Sequence, residues 1–299
     1  MMKLFDAPFR NRCARLDDMA RRHWGTRLLG RRLDRRWAGG SEFVGHSDYT
    51  CGDDFRYVDW HLCARLDELM TRQYRGSEDR SVHLLVDTSA GMQLGQPAKF
   101  DVARRLAGAL GYLALAGLDR VEAVGFADRI TAQFAPVRGL ASLARLLRFL
   151  DQLPPCSAPV RMRHAIDAFT RNRPHRGLAI LISDLFDPEG FEAAVDRLVL
   201  HGFQPYLLQV VDDREAEPDF GGSVELVDVV HGQMRRVYLE EIDLVNYRRV
   251  FAEFRAGCRS YCARRGIGIT QTQTGTPWEQ AIMRMIRSAT NRMVAGRGA

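Results

Sequence analysis

No apolar stretch of about 18 residues or more, the length that crosses a bilayer, occurs in the chain. The opening Met1-Met2-Lys3-Leu4-Phe5-Asp6 lacks the apolar core of a secretory signal, so a cytoplasmic protein is expected. Cysteine is sparse and scattered, at Cys13, Cys51, Cys63, Cys156, Cys258 and Cys262, with no Cys-x-x-Cys pair. Cys258 and Cys262 stand one helical turn apart, half of a metal site, but no second pair accompanies them, and reduced thiols are expected. The eight histidines show no ligand spacing. A Gly-x-x-x-x-Gly-Lys-Ser/Thr phosphate loop, a Gly-x-Gly-x-x-Gly fingerprint, His-Glu-x-x-His and Gly-x-Ser-x-Gly are all missing, which removes the common nucleotide-binding, zinc-peptidase and serine-hydrolase templates.

What remains is ordinary globular material. The 299 residues are 46% hydrophobic and 27% charged, enough for one large core or two modest ones. The net charge of +6 is uneven: residues 1–40 hold eleven Lys/Arg against four Asp/Glu. That basic segment could meet nucleic acid, an acidic lipid surface or an acidic partner. No aromatic or Gly-rich nucleic-acid motif is interleaved with it, and a solvated Arg-rich helix face accounts for it as well.

The spacing of Leu16, Met19, Ala20 and Trp24 predicts a helix in the first segment. Gly39-Gly40-Ser41 breaks it, and residues 42–80 read as short, irregular elements. From Ser81 strands and helices alternate. Val82–Val86, Val121–Phe126, Leu178–Ile182, Pro205–Val211 and Ile267–Thr272 read as strands, with Ile130–Phe134 as a hairpin partner. Helices are expected over Lys99–Ala116, Leu140–Leu150, Met162–Thr170, Phe191–Leu200, Leu244–Arg265 and Trp278–Val294. A hairpin across His231-Gly232 is inserted at about 222–240. The predicted fold is α/β, a mostly parallel central sheet with helices on both faces, over 81–299, preceded by an N-terminal helical and irregular segment over 1–80.

Two motifs stand out. The first is the run Gly52-Asp53-Asp54-Phe55-Arg56-Tyr57-Val58-Asp59-Trp60, followed by Arg65. Its carboxylates have simple ion-pair partners in Arg56 and Arg65, which suggests a structural clamp or a docking surface rather than catalysis. The second is Leu84-Leu85-Val86-Asp87-Thr88-Ser89-Ala90-Gly91, an apolar strand ending in Asp-x-Ser. A carboxylate and a hydroxyl at that edge can offer hard oxygen ligands to a divalent cation, and open α/β sheets bind their ligands there.

Together the two motifs resemble the bacterial domain-of-unknown-function 58 family, whose members place a Gly-Asp-Asp-x-Arg-x-x-Asp-Trp box just before a von Willebrand factor A-like domain. The resemblance runs from about Gly45 to the last helix. It implies a Rossmann-like sheet carrying a metal ion-dependent adhesion site, and a partner among the MoxR-type AAA+ ATPases encoded beside many members. The adhesion-site pattern is Asp-x-Ser-x-Ser, a Thr from a second loop and an Asp from a third. Here Asp87, Ser89 and Asp184 match, while Gly91 and Val160 stand at the other two ligand positions. A degenerate site is implied, holding Mg²⁺ or another divalent cation weakly, with Arg161 a possible substitute for the ion's charge. Alternatively, Asp87 and Asp184 cap helix N-termini without metal.

The implied function is a non-enzymatic protein-interaction module, an adaptor or accessory partner of a MoxR-type ATPase. Two others stay open: a metal-dependent phosphoester hydrolase using Asp87 and Asp184, and a nucleic-acid or membrane-surface binder working through residues 1–40.

Overall fold

The computed structural model describes residues 4–24, 42–49, 58–66, 68–75, 81–171, 173, 175–229 and 232–295. The chain divides into a unit of residues 1–32 with 81–299 and a smaller unit of residues 33–80. Helix α1 (Ala7–Trp24) opens the chain. Its Phe9, Cys13 and Leu16, spaced at four and three residues, enter the core of the larger unit. It therefore belongs with the sheet rather than with the box segment, a division that differs from a boundary at residue 80 alone. Met19, expected on the apolar stripe, is 44% exposed.

In the smaller unit β1 (Glu42–Asp48), α2 (Trp60–Leu66) and β2 (Met70–Arg75) bring more order than the irregular reading of 42–80. β1 and β2 pair antiparallel. Asp59 sits just before α2, and its Oδ1 accepts from the backbone N–H groups of His61 and Leu62, both at 3.2 Å. Its Oδ2 lies 2.9 Å from His46 Nε2. This box residue thus caps a helix, where unpaired N–H groups need an acceptor. Trp60 is 65% exposed and Arg65 is exposed. Gly52, Asp53, Asp54 and Arg56 lie outside the described residues, as does Cys51.

The larger unit continues with β3 (Ser81–Asp87), α3 (Lys99–Ala116), β4 (Arg120–Phe126), β5 (Ile130–Arg138) and α4 (Leu143–Gln152). Then follow α5 (Met162–Thr170), β6 (Gly177–Ser183), α6 (Glu192–Leu200), β7 (Gln204–Val211) and the single turn α7 (Asp213–Ala216). The hairpin of β8 (Gly222–Val227) and β9 (Met234–Leu239) precedes α8 (Glu241–Arg264), β10 (Gly268–Gln273) and α9 (Trp278–Ala295). The sheet order is β10-β7-β6-β3-β4-β5, parallel throughout except for the antiparallel edge strand β5. This is the mixed α/β architecture that the alternating pattern predicts.

Successive residues of a strand point to opposite faces, so β3 feeds two cores. Leu84 and Val86 pack with α1, α3, α4 and α9 on one side. Leu85 packs with α5, α6 and α8 on the other. Every residue of β3 is buried, which explains a strand without polar alternation. The strand order reverses direction between β3 and β6, because the chain winds outward from β3 in both senses. That switch point lies at the carboxyl ends of the strands, the edge where open α/β sheets bind their ligands.

Candidate functional site

Asp87 ends β3 and Asp184 follows β6, so the switch point brings the two carboxylates to neighbouring strand ends. Asp87, Ser89 and Asp184 are almost entirely buried. Asp87 Oδ1 accepts from the Ser89 N–H at 2.9 Å, and Oδ2 accepts from the Ser183 hydroxyl at 2.6 Å. Asp184 Oδ1 accepts from the Phe186 N–H at 3.0 Å, and Gln209 donates to the Asp184 backbone carbonyl at 2.9 Å. Both carboxylates thus satisfy turn N–H groups beside their strands. Burial, reinforced by the charge of Asp184, pushes the Asp87 carboxyl up to about 7.

The second loop lies against the Asp-x-Ser turn: Ala90 N–H donates to Ala158 O at 3.0 Å, and Cys156 N–H to Thr88 O at 2.7 Å. Val160 on that loop is buried and offers no ligand oxygen from its side chain. Gly91 has no side chain, and a Cβ placed there would lie 3.4 Å from Asp184 Oδ2. Arg161 is exposed, so it does not supply charge to these carboxylates. Asp187 caps α5, accepting from the Met162 N–H at 2.7 Å.

A different cation reaches Asp184. Lys99, first residue of α3, is fully buried, and its Nζ donates to Asp184 Oδ2 at 2.8 Å and to Glu215 Oε1 at 2.5 Å. Burial disfavours the ammonium, but the two carboxylates outweigh that cost and raise its pKa above the ordinary lysine value. The ammonium also stands 5.5 Å from the centre of the Phe186 ring. Glu215 is held by a reciprocal cap on α7: Asp212 Oδ1 accepts from Arg214 N–H, while Glu215 Oε2 accepts from Asp212 N–H at 2.9 Å. Lys99, Ser183 and Glu215 were not among the expected site residues. The signal for Lys99 is compositional, since the chain has only two lysines, Lys3 and Lys99, among 43 basic residues. The signal for Glu215 is the Asp-x-x-Glu spacing from Asp212.

The donor set fits a resident divalent ion poorly. One oxygen of Asp184 is held by an ammonium, both oxygens of Asp87 accept hydrogen bonds, and two pattern positions lack side-chain oxygens. Among the described residues no cluster of three His, Cys, Asp or Glu could hold a metal ion.

Phe186 connects this site to α8. It is 38% exposed and stacks on Phe254, with ring centres 5.0 Å apart, and lies 6.0 Å from Phe251. Tyr247 stacks on Phe251 and donates its hydroxyl to Glu215 O at 2.9 Å. Beyond these rings the hairpin and the first half of α8 expose Leu226, Val227, Met234, Tyr238, Ile242, Val245 and Val250.

Residues 46–257 match the family described as "Protein of unknown function DUF58", and the chain belongs to that family. An uncharacterized protein of Mycobacterium tuberculosis is 28% identical over 253 residues, which cover 83% of this chain and 79% of the relative. An uncharacterized protein of Mycobacterium avium is 28% identical over 155 residues, 51% of this chain and 90% of the relative. Among solved structures, the conserved hypothetical protein BatB from Bacteroides thetaiotaomicron is 20% identical, with a TM-score of 0.45 over 71% of this chain and 99% of that one. An aerotolerance-related membrane protein from Bacteroides fragilis is 19% identical, with a TM-score of 0.46 over the same shares. In this chain no helix among the described residues is long and apolar enough to cross a membrane.

Proposed function

We propose that the chain is a non-enzymatic interaction module with a von Willebrand factor A-like sheet, serving as an accessory partner of a MoxR-type AAA+ ATPase. The partner docks at the carboxyl edge of the sheet, on the hairpin and α8, with Asp87 and Asp184 buried beneath that edge. The observation that carries this reading is the apolar surface of that hairpin and helix. Tyr238 is 72% exposed, Met234 67% and Ile242 58%. A two-stranded hairpin is marginal by itself, and contiguous exposed apolar surface on a soluble chain is characteristic of interaction sites. On α8, Tyr247 and Phe251 link this surface to Phe186, whose ring lies over the Lys99 ammonium.

The test is a pull-down from native extract with wild-type and Asp87→Ala baits, each in Mg²⁺ or in EDTA, with captured proteins identified by mass spectrometry. The expected result is recovery of a MoxR-type ATPase by the wild type in both buffers and reduced recovery by the variant. Its absence under every condition would overturn the reading.

A further inference from the structure

We infer that Lys99 is the built-in cation of this site: its ammonium stands where an adhesion-site domain would hold a divalent ion, and the site works without metal. The inference deepens the proposed function, resting on it only in placing the partner at this edge.

Charge is the first ground. Asp184 and Glu215 both contact the Lys99 ammonium, and Asp184 and Lys99 are sealed from solvent. A buried carboxylate without a cation would be strongly destabilising; the ammonium offsets the charge of buried Asp184, and the more exposed Glu215 keeps access to solvent. Position is the second. Lys99 opens α3, where the partial positive charge of the helix end disfavours a cation. A lysine is tolerated there because two acids on other elements, after β6 and on α7, face it. Residue type is the third. The chain uses arginine for almost all of its basic positions, yet places one of its two lysines here. Lysine carries a compact point charge on a thin stem, whereas the guanidinium is a broad planar fork. Only the former resembles an ion in a small oxygen-lined site.

The pattern positions agree. Gly91 and Val160 supply no side-chain oxygen, and Ser183, from the end of β6, turns its hydroxyl to Asp87 at 2.6 Å. The remaining oxygens are thus arranged around an ammonium and hydrogen-bond donors, not around a six-coordinate ion.

The test uses the full chain and four proteins: wild type, Lys99→Ala, Asp184→Asn and the double variant. Thermal unfolding is followed in EDTA and in millimolar Mn²⁺, and bound Mn²⁺ is counted by electron paramagnetic resonance. The wild type is expected to bind no ion and to show the same Tm in both buffers. Lys99→Ala should lose roughly 10 °C by leaving buried acid uncompensated, and should regain part of it with Mn²⁺. The double variant should be more stable than the sum of the single losses. Should Lys99→Ala fail to fold, the wild-type titration and the double variant still decide. Stoichiometric Mn²⁺ binding by the wild type that Asp184→Asn abolishes would overturn the inference, as would additive losses with no Mn²⁺ response in Lys99→Ala. These readouts need no partner, so their failure is distinct from failure of the pull-down.

Discussion

His83 is a buried residue whose protonation sets an acid limit on the fold. It lies on β3, its Nδ1 is 3.0 Å from Glu122 Oε2, and Arg173 pairs with the other Glu122 oxygen. Burial, then the nearby Arg173, lowers its pKa to about 3, despite the adjacent carboxylate, whose charge Arg173 already neutralises. The unfolded chain takes up this proton near the ordinary histidine value of 6.5 and the folded chain refuses it until about 3. The contribution is therefore complete above the unfolded pKa and is lost as pH falls through the window between the two values. Urea unfolding at neutral pH and two units below the unfolded pKa should show a loss on the order of 2 kcal/mol from this residue. A His83→Gln variant should lack that share of the loss, while carboxylate effects cancel between the two proteins. An equal loss in both would refute the assignment. The thiols follow the same logic. Burial, then Glu279, pushes Cys13 up to about 12, and burial, then Cys262, does the same for Cys258. At mildly alkaline pH, iodoacetamide should leave both unmodified in the native protein and label them after unfolding, as mass spectrometry of the peptides would show.

Single glycines show which elements are tightly constrained. A Cβ on Gly177, at the start of β6, would fall 2.1 Å from the Ser81 carbonyl oxygen of the neighbouring strand. Gly177→Ala should therefore destabilise by about 2 kcal/mol or more, since backbone must move. A Cβ on Gly257, within α8, meets nothing within 4 Å, and Gly257→Ala should stabilise by about 0.5–1 kcal/mol. Urea midpoints of the two variants check both signs. Legibility in the sequence tracked the same physics. β3, β6, α3 and α5 were readable because buried parallel strands are continuously apolar and their helices repeat on one face. The apolar spacing predicts α4 from Leu140, but the first turn is a 3₁₀ turn and Leu140 is exposed, so the apolar stripe begins at the half-buried Leu143. α7 is not legible in the sequence, because four residues carry no periodicity. In the candidate site, Asp87, Ser89 and Asp184 were visible as strand-end motifs. Lys99 and Glu215 were not, because their meeting depends on α3 and α7 facing each other across the switch point, more than a hundred residues apart in sequence.

At the scale of the molecule, the buried Lys99–Asp184–Glu215 cluster meets α8 through Phe186, and α8 and the hairpin expose apolar side chains. The sheet itself is closed on both faces by helices, and the hairpin with the first half of α8 exposes a group of large apolar side chains. Replacing Tyr238 and Ile242 with Glu should leave the fold intact, because neither side chain is buried. The same change should weaken partner binding at least tenfold, about 1.4 kcal/mol. The most direct measurement is calorimetric titration of a purified MoxR-type ATPase from the same organism into the wild-type chain and into the Tyr238→Glu/Ile242→Glu protein, in Mg²⁺-free buffer containing EDTA. Saturable binding by the wild type without metal and at least tenfold weaker binding by the variant are expected. No binding by the wild type, or equal affinity for the two proteins, would contradict the proposed docking.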